Sequence, residues 1–68
     1  MKLETNILQY LTQLHQRCWV GNEFYNQRFK TFKTQVELAS KKGYDIEDFD
    51  RIINIYEIQI KRGDLTAK

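Results

Sequence analysis

Apolar residues recur at helical spacing in three successive stretches of the chain, and a glycine follows each stretch. At about 100° per residue, the first stretch predicts a helix near residues 4–20. Its apolar side consists of Leu3, Ile7, Tyr10, Leu11, Leu14 and Cys18. Gly21 and Asn22 then break or bend the chain, and Asn22 is the predicted N-cap of the next helix.

The second stretch predicts a helix near residues 23–42. Its apolar positions follow one another at spacings of four, three, four and three residues: Tyr25, Phe29, Phe32, Val36 and Ala39. Lys41, Lys42 and Gly43 end this helix, because cations suit the carbonyl end of the helix dipole and glycine adopts the left-handed conformation of a C-terminal cap.

The third stretch, RIINIYEIQIKRG at residues 51–63, holds five isoleucines in thirteen positions and resembles a β-strand at first sight. Neither strand face alternates cleanly, whereas a helix near residues 46–62 has one continuous apolar face. Asp45 as N-cap, acidic residues in the first turn and a basic last turn before Gly63 also favour a helix. The members of that face are Ile46, Phe49, Ile52, Ile53, Tyr56 and Ile60.

These elements predict an all-α fold: one small three-helix domain spanning residues 1–68, with an antiparallel helical hairpin across Gly43. If Gly21 only bends the chain, the first two helices merge into one long helix. A chain of this length buries only about 60% of the surface that it exposes when unfolded, so its own core has little stability to spare.

Four large apolar residues fall outside the predicted core faces: Phe24, Leu38, Ile55 and Ile58. Isolated exposed apolar residues are common in monomers, and the region of Leu65 or a bent first helix could cover these four. Alternatively, they form a contact surface for another chain, because burying each such side chain contributes roughly 1.5–3 kcal/mol. We therefore expect a protein partner or a homodimer.

The composition indicates where in the cell the protein is found and which metal sites it cannot form. Cys18 is the only cysteine and His15 the only histidine, so the chain cannot form an internal disulfide or a cysteine-based zinc site, and we expect no metal and no cofactor. The first sixteen residues lack the pattern of a signal peptide, and no stretch has the roughly 20 apolar residues of a membrane span. We expect a cytoplasmic protein without a membrane partner.

Catalytic patterns are weak in this sequence. Ser40 is the only serine, and His15 lies in a different predicted helix, so no nucleophile and base are paired by a motif. The acidic run from Asp45 has Asp50 where a calcium loop requires its glycine. We therefore expect a non-enzymatic protein.

The segment QVELASKKGYDIEDFDRIIN, residues 35–54, resembles the helix-turn-helix of phage-repressor-type DNA-binding proteins. The resemblance covers Leu38 and Ala39, Gly43 four residues after the alanine, and then Phe49 and Ile52. It implies that small Ala39 and permissive Gly43 let two helices meet around a short turn. It also implies that Leu38 is a core residue and that the helix after Asp45 enters the major groove.

Charge is unevenly distributed, although the formal net charge is only +2. Residues 15–44 carry six cations and two anions, net +4, while residues 45–58 carry one cation and five anions, net −4. Because the acidic turn would repel phosphates, a nucleic acid would have to lie on the second helix. Lys30, Lys33 and Lys41 share a side there and form the alternative nucleic-acid-binding face.

The sequence therefore predicts a small regulatory or adaptor protein that acts by protein–protein contact through exposed apolar helix surface. DNA binding, through residues 35–54 or through the basic face of the second helix, is the alternative.

Overall fold

The computed structural model describes residues 4–65 of the chain. Within them the fold is mostly helical, with three helices and one short two-stranded antiparallel sheet. The predicted three helices are confirmed, and the sheet is an addition that the all-α prediction lacked. In chain order the elements are α1 (Thr5–Arg17), β1 (Trp19–Val20), β2 (Glu23–Phe24), α2 (Asn26–Lys41) and α3 (Glu47–Arg62).

The two strands form a tight hairpin between α1 and α2. Trp19 pairs with Phe24 and Val20 with Glu23, so Gly21 and Asn22 make a two-residue loop. Gly21 has a φ of +62°, and no non-glycine described residue has a positive φ, the pattern of a loop with glycine at its first position. Gly21 therefore separates two helices and does not merely bend one.

Helix α2 begins later than the sequence predicted, because the hairpin takes up the residues before it. Its N-cap is Tyr25, not Asn22, and no side chain caps its first turn. The predicted seam is otherwise confirmed, since Phe29, Phe32, Val36 and Ala39 are all buried. The helix ends where Gly43 takes a φ of +94° and the Tyr44 N–H donates to the Ala39 carbonyl at 3.2 Å.

Helix α3 confirms the helical interpretation of the isoleucine-rich stretch. Its N-cap is Ile46, although the Asp45 carboxylate still accepts the Glu47 N–H at 3.1 Å. At the other end Gly63 is left-handed, and the Asp64 N–H donates to the Gln59 carbonyl at 2.9 Å. Acidic side chains fill the first turn and basic ones the last, which matches the helix dipole.

One hydrophobic core joins all three helices and the hairpin. Its buried members include Leu11 and Cys18 from the α1 region, Phe24 from β2, Phe32 from α2, and Phe49 and Ile53 from α3. Tyr10, predicted on the inner side of the first helix, is instead 48% exposed because it lies at the edge of the apolar stripe. Leu3 lies outside the described residues.

Candidate partner-binding surfaces

Phe24 does not belong to the exposed apolar surface. The sequence prediction placed it on the outer face of the second helix, but Phe24 is in strand β2 and is only 1% exposed. Its ring packs against Trp19 and Tyr56, each at a centroid distance of 5.1 Å. The placement was wrong because helical spacing does not apply to a residue that precedes the helix.

Ile55 and Ile58 project from α3 away from the core, as predicted. Their exposed fractions are 49% and 57%, whereas Ile53 of the same helix is 5% exposed. Ile55 and Ile58 are three residues apart in the sequence and therefore lie next to each other on one side of the helix. We name this pair the outer stripe of α3.

Leu38 is also exposed, at 44%, but it lies at a different surface. It lines a groove of about 180 Å³ between α1 and α2, together with Tyr10 and Tyr44. Tyr10 was not predicted as a contact residue, and its position at the edge of the apolar stripe of α1 is the signal that could have identified it. Leu38 and Tyr10 thus belong to an α1/α2 groove, and Ile55 and Ile58 belong to the outer stripe of α3.

On the inner side of α3, the Tyr56 hydroxyl connects three segments of the chain. It accepts a hydrogen bond from Trp19 Nε1 at 3.1 Å and lies 2.6 Å from His15 Nε2. Burial lowers the pKa of the His15 imidazole and so favours its neutral form. Trp19 covers this part of the core, although 37% of it stays exposed.

The three lysines of the predicted basic face, Lys30, Lys33 and Lys41, do not lie together in the structure. Lys30 and Lys33 line a groove of about 340 Å³ between α2 and α3, and Lys61 of α3 joins them there. Lys33 forms an ion pair with Glu57, and the hydrogen bond to Glu57 raises the pKa of the Lys33 ammonium. Lys41 lies at the other end of α2, about 16 Å from Lys30 along the helix axis.

The helix-turn-helix-like segment shares part of the geometry that the resemblance implies. Ala39 and Phe49 are buried, and Gly43 is left-handed. Leu38, however, is exposed and not in the core. The first turn of α3, which would face the phosphates, carries Glu47, Asp48 and Asp50.

Residues with catalytic or metal-binding potential are dispersed. Among residues 4–65 there is no group of three or more histidine, cysteine or carboxylate side chains that could hold a metal ion. Burial raises the pKa of the Cys18 thiol to about 11, and Cys18 is 0% exposed. A thiol in this environment is a packing residue, because nucleophilic attack requires an accessible thiolate.

Within the same residues, each helix falls short of the length and apolar character needed to cross a bilayer.

No family model, no curated protein and no solved structure matches this chain.

Proposed function

We propose that this chain is a non-enzymatic small regulatory or adaptor protein that acts by protein–protein contact through exposed apolar helix surface. The observation that carries the proposal is the exposure of Ile58, which is 57% exposed and lies outside the hydrophobic core. Leu38 and Ile55 are the other proposed contact residues. Phe24 is not one of them, because it is buried.

The free energy available from this surface supports binding to another protein. Burying a large aliphatic side chain contributes roughly 1.5–3 kcal/mol, so half-exposed residues each have about half of that still to gain. The proposed surface lies on helices, which hold their side chains in fixed positions before a partner arrives and so reduce the entropy lost on binding.

The proposal also includes the helical hairpin, the dimeric state and the cellular location that the sequence predicts. We take α2 and α3 to form an antiparallel hairpin across Gly43, and we take the chain to be dimeric. A cytoplasmic location is supported by Cys18, a lone thiol buried in the core and suited to a reducing compartment.

DNA binding is the second candidate, and a specific observation favours it. Lys61 comes from α3 to join Lys30 and Lys33 at one groove, which concentrates positive charge more than the sequence indicated. Against it, Glu57 already neutralises Lys33. DNA binding at this groove predicts an affinity that falls steeply with salt and is lost when Lys30, Lys33 and Lys61 are replaced by glutamate.

Affinity capture with matched variants tests the proposal. The tagged chain is used to capture proteins from its native host, in parallel with Ile58→Asp, Leu38→Asp and the control Leu8→Asp. Leu8 is a similarly exposed leucine, at 45%, outside the proposed contact residues. Circular dichroism first confirms that every variant keeps its helices.

The expected result is a partner that Leu8→Asp retains and that Ile58→Asp or Leu38→Asp loses. The purified partner should then bind the wild-type chain in a two-component titration with little dependence on salt. If both test variants are folded and still capture the same proteins as the wild type, the proposed surface is not used.

A further inference from the structure

Helix α3 carries opposite charge at its two ends and apolar side chains near its middle. Its first turn contains Glu47, Asp48 and Asp50, and its last turn contains Lys61 and Arg62. The outer stripe, Ile55 and Ile58, lies between these ends. A helix with this layout is complementary to a second copy of itself that runs in the opposite direction.

We propose that the outer stripe of α3 is the interface of a symmetric homodimer in which the two α3 helices pack antiparallel. This inference deepens the proposed function and rests on it, because it assigns one of the proposed contact surfaces to a second copy of the chain. A two-fold axis brings the same patch of both copies together, so every contact occurs twice. The antiparallel arrangement also sets the two helix dipoles against each other favourably.

The register follows from the two isoleucines. When Ile55 of each copy faces Ile58 of the other, the four side chains form a continuous apolar centre. Asp50 then faces Gly63 of the other copy, two residues beyond Lys61. The side chain of Lys61 is long enough to bridge this offset.

Asp50 and Lys61 are suited to pair between copies. They are eleven residues apart, about three helical turns, so both lie on the same flank of α3. That flank lies about 100° around the helix from the outer stripe, so the two-fold axis brings it beside its own copy at the edge of the interface. Neither residue takes part in an ion pair within the described part of the chain, so both charges are available.

Two arginines also face each other in this register. Arg51 lies opposite Arg62 of the other copy, but each arginine already has a carboxylate of its own chain beside it. Arg51 is 3.7 Å from Glu47, and Arg62 is 3.5 Å from Asp64. The facing groups therefore form a cluster of two cations and two anions, not an uncompensated repulsion.

The dimer is expected to be weak. One helix per copy gives a contact below the roughly 1,200 Å² of a stable protein–protein interface, in the range of transient complexes. We expect a dissociation constant on the order of 100 µM. Such an affinity is measured by sedimentation equilibrium or NMR diffusion on the purified full-length chain across a concentration series.

Mixing two charge-reversed variants tests the antiparallel geometry directly. Asp50→Lys and Lys61→Glu are each studied alone and then combined in equal amounts. Alone, each variant turns both symmetric ion pairs into like-charge contacts, so dimerisation weakens by roughly tenfold. In the heterodimer, the introduced lysine faces the introduced glutamate, and the unchanged Lys61 faces the unchanged Asp50. Both contacts again join opposite charges, so association recovers to the wild-type level.

Three controls separate this geometry from general effects of charge or unfolding. Lys41→Glu reverses one charge on α2, outside the interface, and should leave dimerisation unchanged. Ile58→Asp should abolish it. Circular dichroism should show a folded, helical chain in all variants, since every substituted position is exposed. Asp50→Lys and Lys61→Glu each oppose the dipole of α3, so a small loss of helicity is expected in these two.

Two results would overturn the inference: a chain that stays monomeric up to about 1 mM, well above the expected constant, or a mixture that associates no better than its components. Failure of the proposed function is recognised separately. If the chain is monomeric but a captured host protein is lost with Ile58→Asp, the dimer is wrong and the role in protein–protein contact stands. If the chain dimerises as described but no host protein depends on Ile58 or Leu38, the regulatory role is wrong.

Discussion

The two sides of α3 hold the same type of residue in opposite surroundings. Ile53 on the inner side is 5% exposed and belongs to the core, whereas Ile58 on the outer side is 57% exposed. The inner side also carries Tyr56, whose hydroxyl contacts both His15 and Trp19. The outer side ends in charged turns and receives no such contacts from the described chain.

This difference shows that the core contacts of α3 lie on its inner side, where α2 also packs through Phe29 and Phe32. α1 and the hairpin supply His15, Trp19 and Phe24 to the inner side, where they surround Tyr56. An apolar side chain on that side contributes to folding. One on the outer side contributes little to folding and is free to contribute to association.

The largest expected effect is the loss of the Phe24 ring. Phe24→Ala should destabilise the fold by about 3–5 kcal/mol, because it removes a buried ring and leaves a cavity. A domain of this size has only about 5 kcal/mol of total stability, so the variant should be largely unfolded at room temperature. Urea titration followed by circular dichroism measures this. A variant as stable as the wild type would contradict the burial of Phe24.

The next effect compares the two sides of α3 with the same substitution. Ile53→Ala should destabilise by about 2–5 kcal/mol through lost core packing. Ile58→Ala should change stability by less than about 0.5 kcal/mol at a protein concentration where the chain is monomeric. The two unfolding midpoints are measured side by side. Equal losses would place Ile58 in the core and remove the distinction between the sides.

A smaller effect is expected in the hairpin that supplies the inner side. Gly21 has a left-handed φ of +62°, and the space around it is open, so Gly21→Ala brings backbone strain without a clash. We expect a loss of about 1 kcal/mol. Asn22→Ala is the control, because Asn22 has a negative φ. Thermal unfolding of both variants should show the larger loss for Gly21→Ala.

The smallest effect is a pH dependence from the inner side. Burial lowers the pKa of His15 below its usual value of 6.5, so the unfolded chain takes up a proton before the folded chain does. The free energy of unfolding therefore has its full value, as far as His15 is concerned, above about pH 6.5. It decreases as the pH falls below that value and levels off below the pKa of His15 in the folded chain.

His15→Gln tests the origin of this dependence, because the glutamine amide can donate to or accept from the Tyr56 hydroxyl and does not titrate in this range. Urea midpoints at about pH 7.5 and 5.5 should differ less in His15→Gln than in the wild type. Tyr56→Phe should keep the wild-type dependence, because burial and not the hydrogen bond is its cause. An identical pH dependence in the wild type and His15→Gln would exclude the histidine.

The regular helices were predictable to within a few residues. Phe29, Phe32, Val36 and Ala39 on α2, and Phe49 and Ile53 on α3, are buried as their spacing indicated. The hairpin was missed, although a Gly-Asn pair between Trp19-Val20 and Glu23-Phe24 is a recognised hairpin signal. Strands of two residues are too short to show an alternating pattern, and so helical periodicity was extended across them.

The candidate surfaces were only partly predictable. The exposure of Leu38, Ile55 and Ile58 followed from their angular positions on the helices, which local geometry fixes. The pairing of Leu38 with Tyr10 did not follow, because it depends on how α1 lies against α2. The same holds for Lys61 beside Lys30 and Lys33, since these residues come from two helices.

By itself, the sequence determined which stretches are helical, where Gly43 and Gly63 end α2 and α3, and which side of each helix is apolar. These features depend on interactions between residues a few positions apart, and such interactions are visible in the order of residues. Only the tertiary structure decided that Phe24 is buried and that Tyr56 links His15 to Trp19. Those contacts join residues far apart in the chain, and their formation depends on the packing of all the elements together.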